Sequence, residues 1–217
     1  MINHKYKVIF VHIPRTAGSS IGSVLGMLNE DKDHRTLRDF QPKTLNQALD
    51  LSFEYAKLNQ MKNSFRTLKE ILMKPEDHEF YADYKKVAFV RNPWSRTLSW
   101  YHNVMRNSMH RRNLGIKDEI SFEKFLNKYK SNWALNSQLH WLVNFDNKIE
   151  FDFIGRFENI HSDFNSLCKR IGASDKQLPV RPKRIEDYTR FYNPKTKDII
   201  FKRYKKEIDH FKYKFSG

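Results

Sequence analysis

Residues 7–21 constrain the fold more than any other part of this 217-residue chain. Within them, Val8 to Val11 form an unbroken run of β-branched and aromatic residues, which is typical of a buried strand. A proline, a basic residue and one glycine follow, and an amphipathic helix is predicted to begin at Ser19. A buried strand that passes through a tight loop into a helix is the repeating element of parallel α/β folds.

The loop between this strand and helix has the chemistry of an anion-binding cradle. Backbone N–H groups at a helix start, together with the positive end of the helix dipole, favour a negatively charged ligand. An arginine adds a permanent charge, and hydroxyl groups add further donors. The residues of this cradle are Arg15, Thr16, Ala17, Gly18, Ser19 and Ser20. The loop is not a Walker P-loop, because no Gly-Lys-Ser/Thr follows a glycine at the required spacing.

A second strand and helix repeat this arrangement further along the chain. Residues 87–90 form another unbroken apolar run, which ends at Arg91. Asn92 can cap the helix that follows, and the proline after it suits the first turn. On that helix Ser95 and Ser99 are four residues apart and share a face. Two such cradles at neighbouring strand ends predict a ligand with two separated anionic groups.

The remaining pattern predicts one α/β domain over residues 1–217, with a helical insertion at about residues 41–80. A third strand at residues 151–155 leads into a helix that ends at Ile171, where Gly172 is a candidate C-cap. Strands that alternate with helices favour a mostly parallel sheet flanked by helices, with ligands at the carboxyl ends of the strands.

Three peripheral segments carry weaker patterns. Residues 106–117 are predicted to form a basic loop. Residues 194–211, which follow a capping asparagine, are predicted to form a last helix. The insertion is predicted to hold two helices whose apolar residues pack over one face of the sheet. Those residues are Leu45, Leu49, Phe53 and Ala56 in the first helix and Phe65, Leu68 and Leu72 in the second.

Composition narrows the class of partner. A formal net charge of +15 indicates an anionic partner, such as a nucleotide, an acidic polysaccharide, nucleic acid or a membrane surface. Abundant lysine on solvated faces, without any anionic partner, would produce the same net charge. The single Cys168 excludes an intramolecular disulfide and a multi-cysteine metal site. The sequence contains no signal peptide or membrane span, so a cytoplasmic protein is expected. A chain from which a membrane anchor had been removed would have the same sequence pattern.

Two motifs together resemble a known family. Residues 12–20, His-Ile-Pro-Arg-Thr-Ala-Gly-Ser-Ser, resemble the phosphosulfate-binding loop of sulfotransferases that use 3′-phosphoadenosine-5′-phosphosulfate (PAPS). Residues 89–101, which begin Phe-Val-Arg-Asn-Pro-Trp-Ser, resemble their 3′-phosphate motif. In that family a strand-end arginine and the serine eight positions later hold the 3′-phosphate, which implies Arg91 and Ser99 here. The segment from residue 192 to 213 is similar to the end of the glycan-type branch.

The resemblance implies a P-loop-like, three-layer α/β fold and a reaction. The family transfers the sulfuryl group of PAPS by in-line displacement to an acceptor hydroxyl, here of a glycan or small molecule, and releases adenosine 3′,5′-bisphosphate (PAP). It requires no metal. Most glycan-type relatives carry lysine at the position of Arg15. Arginine still supplies a permanent charge to two oxygens, but it cannot serve as a proton donor to the bridging oxygen.

The resemblance also implies roles for residues outside the two motifs. His34 resembles the histidine that activates the acceptor hydroxyl, with a solvated loop histidine as the alternative. His140 and Glu158 are the other candidates for the base, while His12 matches a residue that supports the loop. Lys183 and Arg184 lie in a segment that resembles the loop covering the cofactor, although a solvated charge run would look the same.

Two other functions compete with sulfuryl transfer. A P-loop-type kinase is disfavoured because Gly-Lys-Ser/Thr and a magnesium-binding aspartate after a strand are missing. A nucleic-acid-binding protein is suggested by the charge alone. The acceptor and the oligomeric state are not encoded in any motif, although Arg111 and Arg112 in the predicted basic loop favour an acidic acceptor.

Overall fold

A computed structural model describes residues 1–27, 34–72, 80–179 and 187–216, apart from the side chains of residues 70–72. The chain divides into two compact units, and each is described by itself. The first unit comprises Met1–Val90 and Gln138–Leu178, and the second comprises Arg91–Ser137 and Pro179–Gly217. The single-domain organisation stays a prediction.

Helices account for most of the regular structure in the described residues. The helices, in chain order, are α1 (Gly18–Val24), α2 (Leu37–Phe40), α3 (Leu45–Lys57), α4 (Met61–Leu72), α5 (Pro93–Arg106), α6 (Ser108–Asn113), α7 (Phe122–Tyr129), α8 (Gln138–Leu142), α9 (Ile160–Ile171), α10 (Pro194–Arg203) and α11 (Lys205–Phe211). None of the helices in these ranges has the length and apolarity that crossing a membrane requires.

The first unit contains a four-stranded sheet. Its strands, which lie side by side in chain order, are β1 (Ile2–Asn3), β2 (Val8–Val11), β3 (Lys85–Val90) and β4 (Phe153–Arg156). β1 is antiparallel to β2, while β2, β3 and β4 are parallel, with Val11 opposite Ala88 and Val90 opposite Arg156. The predicted α/β class with a mostly parallel sheet is confirmed. The segment that follows β2 leaves from the carboxyl edge of the sheet, where such folds bind ligands.

Helices α1 and α9 pack on this sheet through one apolar core. Phe10 of β2 and Phe89 of β3 are fully buried against side chains such as Ile21 of α1 and Phe164 of α9. Gly155 permits the close approach of β4, because a Cβ atom there would lie 2.4 Å from the Phe89 ring. Cys168 is buried in the same core, as its place in an apolar stripe predicts.

Local signals correctly located several helix ends. Asn92 caps α5 by accepting a hydrogen bond from the Trp94 N–H (3.1 Å), with Pro93 in the first turn. Asn193 caps α10 in the same way, accepting from the Thr196 N–H (2.9 Å). α9 ends at Gly172, whose φ of 73° is the left-handed conformation that glycine adopts without steric cost.

Helices α3 and α4 form where predicted, but the expected burial is wrong for four of their apolar residues, Leu45, Phe53, Phe65 and Leu68. Phe53 of α3 and Phe65 of α4 are 63% and 64% exposed, and Leu45 is 59% exposed. The buried side of α4 instead carries Asn63 and other polar side chains, which take part in hydrogen bonds within the first unit. Polar contacts therefore help to orient α4, whereas α3 also buries Ala48, Leu51 and Tyr55.

In the second unit, two sequence expectations need correction. Residues 108–113 of the expected basic loop form helix α6, because Asn107 caps it by accepting from the His110 N–H (3.1 Å). The predicted last helix is broken at Tyr204, which has non-helical φ and ψ of −109° and 20°. The Tyr204 hydroxyl donates to the Leu135 backbone oxygen (2.5 Å), and this buried contact fixes the break between α10 and α11.

Candidate active site

The loop between β2 and α1 has a backbone suited to an anion. Arg15 (φ 69°) and Ala17 (φ 71°) both adopt left-handed conformations. Thr16 is fully buried between them, and its Oγ1 donates to the Ile13 backbone oxygen (3.0 Å). The first intrahelical bond runs from the Ser20 N–H to the Ala17 oxygen (2.9 Å), so the helical N–H groups before it point toward the loop. Turns of this kind gather N–H groups into an anion-binding concavity.

His12 is packed against this loop. A Cβ atom on Gly18 would lie 1.9 Å from the Cδ2 atom of His12, so only glycine fits beneath the ring. The His12 ring also stacks on Phe10, with ring centroids 6.1 Å apart. Burial, and then the nearby charges of His34, the N-terminus and Arg15, hold the pKa of His12 well below its usual range. His12 is therefore neutral near pH 7 and suits the supporting role implied for it.

His34 lies beside His12 in the first unit. Its Nδ1 atom is 2.7 Å from the His12 backbone oxygen, and the two ring centroids are 4.2 Å apart. A carbonyl oxygen can only accept, so Nδ1 carries the proton and Nε2 is the basic nitrogen of the neutral ring. The Asn63 side chain donates to the His34 backbone oxygen (3.2 Å) and so helps to hold the segment. This arrangement suits a general base next to the loop.

A buried carboxylate holds the segment that follows His34, and sequence reasoning missed it. Asp39 is fully buried, pairs with Arg66 (3.1 Å) and accepts hydrogen bonds from Thr36 N (2.6 Å) and the Tyr55 hydroxyl. Burial alone would raise the pKa of Asp39, but the charges of Arg66 and Arg35, with these hydrogen bonds, outweigh it and lower the pKa. The spacing Thr36-x-x-Asp39, which resembles a capping box, was the available signal.

His140, a second candidate for the base, takes part in a separate ionic cluster. Its Nδ1 atom lies 2.9 Å from Glu54, which also pairs with Arg38 (2.8 Å). Burial opposes ionisation of Glu54, yet hydrogen bonds from His140 and Arg38 lower its pKa to about 2. His140 Nδ1 is bound to a carboxylate within this cluster, which favours a structural role for His140.

The strand-end arginine motif lies in the second unit. Arg91 is buried, and its Nε atom donates to Ser95 Oγ (3.0 Å). Ser99 is also buried, one helical turn beyond Ser95 on α5. The Asn92 side chain donates to the Lys214 backbone oxygen (2.8 Å), which ties the start of α5 to the C-terminal segment. The start of α5 therefore presents an arginine and two serines along one side of its first two turns.

The other candidate residues fall in different places. Glu158 is exposed in a short 3-10 turn after β4. Lys183 and Arg184 lie outside the described residues. Across the described ranges, no group of three or more His, Cys, Asp and Glu side chains is arranged to hold a metal ion.

Comparison with known proteins identifies the family. A family model described as "Sulfotransferase family" matches residues 1–214, nearly the whole chain. The chain belongs to the sulfotransferase family. An uncharacterized protein of Archaeoglobus fulgidus is 30% identical to this sulfotransferase over 106 residues, which cover 48% of this chain and 79% of that protein. No solved structure matches the chain.

Proposed function

We propose that this sulfotransferase moves the sulfuryl group of PAPS to an acceptor hydroxyl. The observation that carries the proposal is the loop of residues 15–20, with left-handed Arg15 and Ala17, in a chain matched to the family over residues 1–214. The loop gathers an arginine, backbone N–H groups and hydroxyls, as a phosphosulfate group requires. The resemblance of the start of α5 to a 3′-phosphate motif supports the same donor.

Each cradle is assigned one end of the donor. Residues 15–20 bind the phosphosulfate, where Arg15 stabilises the negative charge that grows on the bridging oxygen. Arg91 and Ser99 bind the 3′-phosphate, because an arginine and a hydroxyl supply charge-assisted hydrogen bonds to its oxygens. Lys183 and Arg184 are proposed to bind the nucleotide as well. This division matches a ligand whose negative charge is split between two ends.

The reaction needs alignment, charge stabilisation and one base. His34 Nε2 removes the proton from the acceptor hydroxyl as its oxygen forms a bond to sulfur. The bond between sulfur and the bridging oxygen breaks, and the electron pair stays on the phosphate of PAP. The bridging oxygen then belongs to a phosphate that is ionised at neutral pH, so Arg15 acts by its charge and no acid is required.

The acceptor is proposed to be a glycan or a small molecule. Support for a glycan comes from the similarity of residues 192–213 to the glycan-type branch. Helix α6 carries Arg111 and Arg112 in the second unit, which favours an acidic acceptor. A screen of PAPS-dependent sulfation over acidic glycans, neutral glycans and simple alcohols distinguishes these classes.

Ligand-induced thermal stabilisation tests the donor assignment. PAP is expected to raise the melting temperature of the protein, whereas ATP and a generic oligonucleotide are expected to have little effect, since binding to the native state stabilises it. Arg15→Ala and Arg91→Ala should each weaken the response to PAP, while Arg112→Ala on α6 serves as a matched basic control. Stabilisation by ATP but not by PAP would support a kinase. Stabilisation by the oligonucleotide alone would support a nucleic-acid-binding protein.

A further inference from the structure

Helices α3 and α4, here called the hairpin, meet through polar side chains. Ser52 Oγ of α3 lies 2.9 Å from Ser64 Oγ of α4, and both side chains are buried. Asn63 and Thr67 are buried on the same side of α4, where Thr67 Oγ1 donates to the Asn63 backbone oxygen (2.9 Å). Asn63 also reaches the His34 backbone oxygen, so this polar side faces the body of the first unit.

The apolar residues of the hairpin lie on one outer face. Phe53 follows Ser52 in α3, and Phe65 follows Ser64 in α4, and one step along a helix turns the side chain by about 100°. The two helices are joined by a short turn and run in opposite directions. A step of one residue along each helix therefore turns toward the same side of the pair, so both phenylalanines lie on the side that faces away from the body of the first unit. The outer face is defined here as Leu45, Leu49 and Phe53 of α3 with Met61, Phe65 and Leu68 of α4.

The outer face is apolar and open in the part of the chain that the structure describes. Five of its six side chains are exposed, Phe53 and Phe65 by 63% and 64%. Scattered exposed apolar residues are ordinary, but a contiguous patch of this kind marks an interaction surface. A patch that extends over two adjacent helices suits an extended surface better than a pocket.

The charges around the outer face are mainly positive. Lys57, Lys62 and Lys69 are exposed beside it, with Asp50 as the exposed acid among the described side chains of the hairpin. The other described hairpin acid, Glu54, is directed inward to Arg38 and His140. The hairpin therefore presents phenylalanine, leucine and methionine with a rim of lysine, the composition of helices that lie in a membrane interface.

We propose that the hairpin docks this protein on an anionic lipid bilayer. The outer face enters the boundary between headgroups and acyl chains, while Lys57 and Lys69 contact lipid phosphates. A second copy of the chain fits less well, because two-fold pairing through this face would bring the two lysine rims together. This proposal concerns binding at the surface of a bilayer. It would hold whether or not the proposed reaction is correct.

Flotation with lipid vesicles tests the proposal. The full chain is expected to float with vesicles of phosphatidylcholine and phosphatidylglycerol in equal parts, and much less with phosphatidylcholine alone. Phe53→Ser combined with Phe65→Ser should lower the partition coefficient by at least about tenfold through lost apolar burial. Lys57→Glu combined with Lys69→Glu should lower it by at least roughly 30-fold, because each lysine contributes about 1 kcal/mol near an anionic surface.

Matched variants elsewhere control for general effects. Met109→Ser with Phe201→Ser removes exposed apolar groups of the second unit, and Lys124→Glu with Lys128→Glu makes the same charge change on α7. Both controls should retain most of the binding, and the melting temperature of every variant verifies folding. Wild-type protein that stays unbound, or equal losses in test and control variants, would overturn the proposal. So would a concentration-dependent dimer, detected by light scattering, that the phenylalanine double variant abolishes.

Discussion

His34 Nδ1 lies 2.7 Å from the backbone oxygen of His12, and this contact sets the chemistry of the His34 ring. Since the carbonyl accepts, Nδ1 holds the proton and the lone pair of the neutral ring is at Nε2. A histidine placed this way can take a proton from a hydroxyl without a change of tautomer. His12 in turn presents its backbone oxygen from the end of β2, so the sheet orients the proposed base.

Replacement of His34 tests its role as the base. His34→Ala should lower kcat by about 10²–10⁴-fold, the usual contribution of general acid–base catalysis, while PAP still stabilises the protein. His140→Ala should keep turnover near that of the wild type, because His140 is bound to Glu54 in a separate cluster. Steady-state kinetics with thermal shifts in PAP separate catalysis from folding. A larger loss in His140→Ala than in His34→Ala would transfer the role to His140.

The Glu54 cluster predicts a pH-dependent stability. The pKa of Glu54 is lowered from 4.5 to about 2 in the folded chain. Its stabilising contribution is therefore fully present above about pH 4.5 and is lost as pH falls toward about 2. The shift corresponds to about 3 kcal/mol, and solvent screening of a side chain that is 35% exposed reduces this to about 1–2 kcal/mol.

Urea unfolding between about pH 5 and pH 2 measures this contribution. Over that range, the wild type should lose about 1–2 kcal/mol more of its free energy of unfolding than Glu54→Gln does. Glu119→Gln, which changes an exposed carboxylate, should follow the wild-type curve. Parallel curves for wild type and Glu54→Gln would show that the cluster does not stabilise the folded chain.

The contact between His12 and Gly18 predicts a specific pattern of rescue. Gly18→Ala should destabilise the protein by about 1–3 kcal/mol, because the added methyl group overlaps the His12 ring. In the double variant His12→Ala with Gly18→Ala, the space left by the imidazole accommodates the methyl group, and part of this loss should return. Thermal unfolding of both single variants and the double variant measures the coupling. Additive losses would contradict the close packing of ring and loop.

Arg96 predicts a strong effect on the stability of the second unit. Its guanidinium is fully buried and donates to the backbone oxygens of Ala134 (3.1 Å) and Asn136 (2.6 Å). Arg96→Met should lower the free energy of unfolding by about 2–4 kcal/mol, since a buried and a partly buried carbonyl lose this donor. Arg106→Met, an exposed change on the same helix, should have little effect. Urea unfolding measures the stability of both variants. Equal stabilities would contradict a stabilising role of the buried Arg96.

Features encoded by neighbouring residues could be predicted from the sequence. The apolar runs before residues 12 and 91 are strands, Asn92 and Asn193 are caps, and Gly172 ends a helix. Each depends on backbone rules that act within a few residues. The loop of residues 15–20 belongs to this class as well, because its small side chains and arginine are consecutive in the sequence.

Features that depend on distant partners could not be predicted in this way. Asp39 is 16 residues from Tyr55 and 27 from Arg66, and no periodicity in the sequence connects them. Helical spacing located α3 and α4, but it could not show that α4 buries its polar side. The break at Tyr204 depends on the Leu135 backbone oxygen, 69 residues away.

The polar packing of α4 has a consequence for how this part of the chain opens. Over residues 61–69, where its side chains are described, the buried ones are Asn63, Ser64 and Thr67, so detachment of this part of the helix would expose little apolar surface of its own. The heat capacity and the denaturant sensitivity of an opening both scale with the surface exposed. Amide hydrogens of α4 should therefore exchange through a local opening, and added urea should hardly accelerate this exchange. Amide hydrogens of β2 and β3 should exchange only through global unfolding.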